Sequence, residues 1–248
     1  MAGRIQPGDK LPFFRYDTPY SAQNSFRALL EAQAPLVLVF MNNFGHPVTR
    51  TFAMRYAATF DQLFDGGFAL VVRSRADKLA RTIRPDTLPY PLLCDAAGVL
   101  YDHLAIPQRS GALTTYSLEA LQILHAAKKR GYHPPRDAAQ QLPLTLILDA
   151  DGTVLFCHYG ASLTDVPADC AACQALLEEL GLLPRRTQSL LPDEDAAADE
   201  TGDSDVTIYA GRGTPAIPDL DRPVQEYGVP DLDRTMVTGL FDDPYQQD

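Results

Sequence analysis

Apolar residues along this chain fall into short unbroken runs separated by segments with helical spacing. "APLVLVFM" (34–41) is continuous and partly β-branched, which predicts a strand buried on both faces. Thr49 to Phe64 then carries Phe52, Tyr56, Phe60, Leu63 and Phe64 at three- and four-residue spacing, a helix stripe. "FALVVRS" (68–74) reads as a second buried strand after the Gly66-Gly67 turn, and "ADKLARTI" (76–83) as a short helix. "YPLLCD" (90–95) fits a short strand, with "AGVLYDHLA" a helix after it. Strand–helix–strand units at this spacing predict a parallel sheet with right-handed crossovers.

The pattern then changes. "PLTLILDADGTVLFCHYG" (143–160) holds two strands joined by Ala150-Asp151-Gly152, a strong hairpin signal. A closing helix follows, capped by Asp165 or Asp169, with Ala172, Leu176, Leu177, Leu180 and Leu183 as its expected apolar face. A parallel βαβ unit, an antiparallel hairpin and a closing helix make the order of a thioredoxin-type fold. That is an α/β three-layer sandwich, a mixed sheet with helices on both faces. An insertion over about 107–141 separates the halves. Its segment "TTYSLEALQILHAAKKRGY" predicts a helix ended by Gly131, packed on the domain through Leu118, Leu121, Ile123 and Leu124.

Charge divides the chain at Pro184. Residues 185–248 hold 15 Asp/Glu against 5 Arg, whereas residues 1–184 hold 17 acids and 16 bases, within an overall −11. The expected organisation is therefore a domain over 1–184 and an acidic, mostly disordered or partner-bound tail over 185–248. Within the tail, "IPDLDRP" and "VPDLDRT" form a near-repeat. Asp219, Leu220, Arg222, Asp231, Leu232 and Arg234 are its candidate contacts to a protein partner, two linked copies favouring avidity. A degenerate Pro/Asp-rich linker is the competing reading of the same repeat. Homo-oligomerisation is a further mode of association left open. The one basic cluster, "KKRGYH" (128–133), suits a helix C-terminus, so nucleic-acid binding is not expected. No run approaches the roughly 20 apolar residues of a membrane-spanning helix, so no membrane insertion is expected. "MAGRIQPGDKLPFF" lacks the charged head and apolar stretch of an export signal, and the expected location is cytoplasmic. Five scattered histidines give no metal-ligand spacing, and neither metal nor cofactor is expected.

"PGDKLPFF", "PLVLVFMNNFGHPVTR", "YPLLCDAAGVLYDHLAI" and "QLPLTLILDADGTVLFCHYG" lie in collinear order over roughly residues 7–183. Together they resemble the peroxiredoxin-like branch of the alkyl hydroperoxide reductase/thiol-specific antioxidant family. In that branch the loop after the first long strand reads Phe-Gly-Cys-Pro-x-Cys-Arg; here it reads Phe44-Gly45-His46-Pro47-Val48-Thr49-Arg50. The resemblance thus implies an active-site loop comprising His46, Pro47, Thr49 and Arg50, in which both cysteines are replaced. It also implies that Pro143 faces that loop, at a position where the fold commonly has a cis-proline.

The replacement changes the chemistry. A peroxidatic thiolate is stabilised at a helix N-terminus and attacks the O–O bond; imidazole has no comparable reaction, and a threonine hydroxyl forms no disulfide. His46 is expected to cap or pack. Arg50, with His46 and Thr49, would at most hold an anion at the helix start. The remaining paired thiols are Cys170 and Cys173 in "PADCAACQALLEEL". Their spacing suits a disulfide at a helix start, within one loop of the altered site. Asp165 and Asp169 oppose a thiolate there, and cysteine also serves as a small core residue. Cys94 and Cys157 lie in strand patterns and are expected to be buried and inert. Three readings follow: a redox-degenerate binding or accessory protein, a thiol oxidoreductase or peroxidase using Cys170 and Cys173, and an anion-binding site at the old loop.

Overall fold

The computed structural model describes residues 3–63, 66–110, 115–133 and 139–184. Near the N-terminus a two-strand ribbon pairs β1 (Arg15–Tyr16) with β2 (Asn24–Ser25) and leads directly into α1 (Phe26–Gln33). The Ser25 hydroxyl caps α1 by accepting the Ala28 N–H, and Phe26, Leu29 and Leu30 form its buried side. Eight residues with three buried positions give a weak periodic signal, and neither element was expected from the sequence.

The long apolar run becomes β3 (Leu36–Met41), with all six residues buried. It enters α2 (Pro47–Ala58), which hands over through Thr59 to a short 3-10 turn at Phe60–Gln62. The crossover returns in β4 (Gly67–Val72), parallel to β3 from Leu36↔Gly67 to Met41↔Val72. Then follow α3 (Ala76–Leu79), β5 (Leu92–Cys94), α4 (Val99–His103) and β6 (Gln108–Arg109). Next come α5 (Leu118–Lys129), β7 (Gln140–Gln141), the hairpin β8 (Leu144–Leu148) and β9 (Val154–Tyr159), and α6 (Cys170–Glu179). Pairing of β6 with β7 brings the segment between them out and back at one place.

The main sheet has the order β5-β4-β3-β8-β9, parallel on the β3–β5 side and antiparallel across β8 and β9. This is the mixed order expected of a thioredoxin-like sandwich. Successive side chains of β3 alternate between faces. Val37, Val39 and Met41 pack with Phe52 and Tyr56 of α2 and Leu177 of α6. Leu36, Leu38 and Phe40 pack with Phe26 and Leu30 of α1 and Tyr101 of α4. In the hairpin turn the Gly152 N–H donates to the Asp149 carbonyl at 3.0 Å, with Gly152 at φ +83°. Glycine is needed there, since other residues rarely adopt that conformation. Among the described residues no helix is long and apolar enough to cross a membrane.

Two helix faces differ from expectation. On α5, Leu118 (74% exposed) and Leu121 (50%) face outward, while Ala120 is buried and Ile123 and Leu124 pack at its edges. Residues three apart drift by about 60° around a helix, so a Leu-x-x-Leu-x-x-Leu row cannot all face one neighbour. The small Ala120 supplies the close contact, and Arg55 of α2 pairs with Glu119 of α5 at 2.5 Å beside it. On α6 the buried set is Cys170, Cys173, Gln174 and Leu177, whereas Leu180 is 40% exposed. Asp169 is the cap, its side chain accepting the Ala172 N–H at 2.8 Å. The small thiols let α6 settle against the end of α2.

Gly67 begins β4 where the chain passes α1: a Cβ there would lie 2.4 Å from the Gln33 carbonyl oxygen. Gly67→Ala is expected to cost about 1–3 kcal/mol and lower the melting temperature by roughly 2–12 °C, read by thermal unfolding. An unchanged midpoint would contradict the packing at this crossing.

Candidate functional site

The loop after β3 is held by its own residues and by Ser74, just after β4. The Asn42 side chain accepts the Asn43 N–H at 2.8 Å, and the Phe44 N–H donates to Ser74 Oγ at 2.8 Å. The His46 N–H donates to the Asn43 carbonyl at 3.1 Å, closing the turn into α2. Pro47 then occupies the first helical position, where its missing N–H costs no intrahelical bond.

His46 takes the N-cap position, yet its side chain makes no capping hydrogen bond. It is 5% exposed, its Nδ1 has no partner among the described residues, and its ring meets Tyr132 edge-on at 6.3 Å. Burial pushes its pKa down to about 4, so the imidazole is neutral at physiological pH. The packing expectation for His46 therefore describes its surroundings; the capping one does not. Thr49, one turn on, is 1% exposed. Both line a recess with Met41, Asn42, Gln141, Pro143 and Leu163, and the recess leaves no space for a water molecule. Pro47 is buried at the helix start, while Arg50 is half-buried on the same turn and does not line the recess.

The structure thus brings His46, Thr49 and Pro143 together. The one cis peptide bond among the described residues is Ala34–Pro35, so Leu142–Pro143 is trans. The sequence reading missed the residues that close the recess. Gln141 Oε1 accepts from Arg73 Nη1 and Gln108 Nε2, each at 3.1 Å, while its own amide donates to the Ile106 and Pro107 carbonyls. Asn42 donates to Gln140 Oε1 at 2.9 Å. Tyr132 arrives from the turn after α5, where Gly131 at φ +95° redirects the chain. The available signal was the Gln-Gln pair directly before an apolar strand, since buried amides need specific partners.

Cys170 and Cys173 lie elsewhere. Cys170 Sγ contacts the Tyr56 carbonyl at 3.4 Å and its N–H donates to Thr59 Oγ1 at 3.0 Å. That is the C-terminal end of α2, about 14 Å along the helix from Pro47, rather than within one loop of His46. Neither thiol is solvent-exposed. Burial pushes the Cys170 pKa up to about 11, with the Thr59 side chain opposing it and Asp169 adding to it, and burial raises Cys173 well above the ordinary thiol value, the Cys170 and Asp169 charges adding to that. Cys94 is raised to about 12, by burial and then Asp17; Cys157 is also raised by burial and donates to the Ile5 carbonyl at 3.2 Å. Asp219, Leu220, Arg222, Asp231, Leu232 and Arg234 lie outside the described residues.

No family profile and no curated protein sequence matches this chain. Solved structures do. Peroxidoxin BcpB from Mycobacterium tuberculosis superposes with a TM-score of 0.51 at 17% identity, covering 73% of this chain and 100% of that one. A peroxiredoxin-like protein from Aquifex aeolicus gives 0.47 at 11% identity, over 72% of this chain and 89% of that one. A thiol peroxidase from Chromobacterium violaceum gives 0.45 at 16%, over 72% and 90%. At these identities the likeness, carried by the first of the three, establishes a thioredoxin-like fold.

Burial of neutral His46 makes stability pH-dependent. The unfolded chain takes up this proton near pH 6.5 and the folded chain only near pH 4, so the unfolded state binds more protons between those values. The contribution is intact above pH 6.5 and is lost as pH falls towards 4, by ~3 kcal/mol at most. Denaturant unfolding of wild type and His46→Gln across this window should show a steeper loss for wild type. Parallel pH profiles would contradict the buried neutral imidazole.

Proposed function

We propose that the chain is a redox-degenerate, peroxiredoxin-like protein that serves as a binding or accessory subunit, its acidic C-terminal segment docking a protein partner. The observation that carries this reading is the filled recess at the start of α2. A peroxide would need to approach a reacting atom to about 3–3.5 Å. In the recess stand a neutral imidazole and a threonine hydroxyl, with no thiol and no space for even a water. Neither group supplies the electron pair for O–O cleavage that a thiolate supplies. The same filling speaks against an anion held between His46, Thr49 and Arg50.

The competing enzymatic reading uses Cys170 and Cys173. Thiol–disulfide chemistry requires an accessible thiolate, and these two are buried with raised pKa values. Their packing against Tyr56 and Thr59 supports a structural role.

For the partner, support comes from the duplicated Pro-Asp-Leu-Asp-Arg sequence and the −10 charge of residues 185–248. A basic or mixed-charge protein surface is the matching chemistry. Affinity capture with the intact chain should retain a defined protein that is lost when Asp219, Arg222, Asp231 and Arg234 are all changed to Ala. Disrupting one copy alone should weaken capture by about 10²-fold or more, the loss of bivalent engagement. Equal capture by the fourfold variant would remove the repeat from this role.

A further inference from the structure

A second concavity lies between the outer edge of the hairpin and α6, beside the filled recess but separate from it. It has a volume of about 210 Å³. An apolar protein cavity of about 150 Å³ suffices for benzene, so a single substituted ring fits. Phe156, Val166 and Leu176 supply apolar walls, and Thr145, His158 and Asp165 supply the polar groups.

Those polar groups are arranged in depth. Thr145 and His158 are register partners across β8 and β9, so they share a sheet face with Phe156. Thr145 is 1% exposed and its hydroxyl has no hydrogen-bond partner among the described residues. A buried hydroxyl left unpaired is destabilising, and such a cost is tolerated where a ligand satisfies the group. His158 Nε2 lies 3.0 Å from Asp165 Oδ1, and Asp165 Oδ2 accepts the Ala161 N–H at 2.7 Å. Burial raises the Asp165 pKa, but the Ala161 N–H and His158 outweigh it and hold the carboxyl below its usual range. The ionised Asp165 accepts a hydrogen bond from His158 Nε2–H, which holds the imidazole at the rim of the cavity. Both side chains remain partly exposed, 46% and 38%, at the cavity mouth.

We infer that this cavity is a binding site for a small, uncharged, hydroxylated single-ring compound. Its ring packs on Phe156, Val166 and Leu176, one polar atom meets the Thr145 hydroxyl, and the His158 imidazole is the polar group at the mouth. An anion is disfavoured by the Asp165 carboxylate. The site uses no residue of the loop at His46 and does not depend on the role given to the acidic segment.

The test is an amide-resonance NMR titration of the full chain with phenol, using benzene and benzoate as comparators. Phenol should give saturable shifts at Thr145, His158 and Leu176 and bind more tightly than benzoate. Thr145→Val, which keeps the shape and removes the hydroxyl, should weaken phenol about three- to tenfold while leaving benzene unchanged. The same variant without ligand should melt at a higher temperature than wild type, since an unpaired hydroxyl has been removed. Absence of saturable shifts, equal phenol binding by Thr145→Val, or a lowered melting temperature of that variant would each overturn the proposal.

Discussion

β3 is hydrogen-bonded on both edges, to β4 in parallel and to β8 antiparallel, with every side chain buried. A strand in that position has no freedom to shift register, because a one-residue slip would exchange the two faces of the core. Its C-terminal end therefore fixes where α2 begins, and with it His46 and Thr49. On its other side, pairing of Phe40 with Leu144 sets Pro143 opposite the loop. The thioredoxin-like geometry is thus preserved by packing around the strand, whatever residues occupy the loop.

The geometry at the start of α2 is therefore set by the scaffold and not by the side chains of the loop. The helix start presents a turn, a proline at the first position and a buried residue one turn on. The side chains there satisfy packing: an imidazole kept neutral by burial, a threonine excluded from water, and the β7 glutamines tying the recess to Asn42, Arg73 and β6. Gln141 alone draws together Arg73, Gln108 and two carbonyls, so the segment between β6 and β7 is tied to the loop. Cys170 and Cys173 lie at the far end of α2, where their small size serves the approach of α6.

Much of the sheet was legible in the sequence, since "APLVLVFM", "FALVVRS" and the Asp-Gly hairpin carry uninterrupted apolar runs that have few alternatives. The helix faces were less so. Leu118 and Leu121 looked like a packing row and face outward; Leu180 was expected on the apolar face of α6 and is exposed, while Cys170 and Cys173, open between a redox pair and small core residues, form its buried row. Both differences have one cause: the closest helix contacts are made by small residues, Ala120 and the cysteines, which hydropathy patterns weight lightly. α1 was missed because eight residues give too short a period. At the site, His46, Thr49 and Pro143 were legible through their order around β3. Tyr132 and Gln141 were not, because their place depends on how a segment roughly 30 residues long folds back, and local pattern does not encode that.

The most direct measurement is hydroperoxide consumption by the purified full-length chain in the presence of a thiol reductant, before and after alkylation under native conditions. The expected result is consumption no faster than a protein-free blank in both cases, because the loop at His46 and Thr49 has no thiolate and Cys170 and Cys173 are buried. Multiple turnovers that survive alkylation, or that vanish in Cys170→Ser, would contradict it.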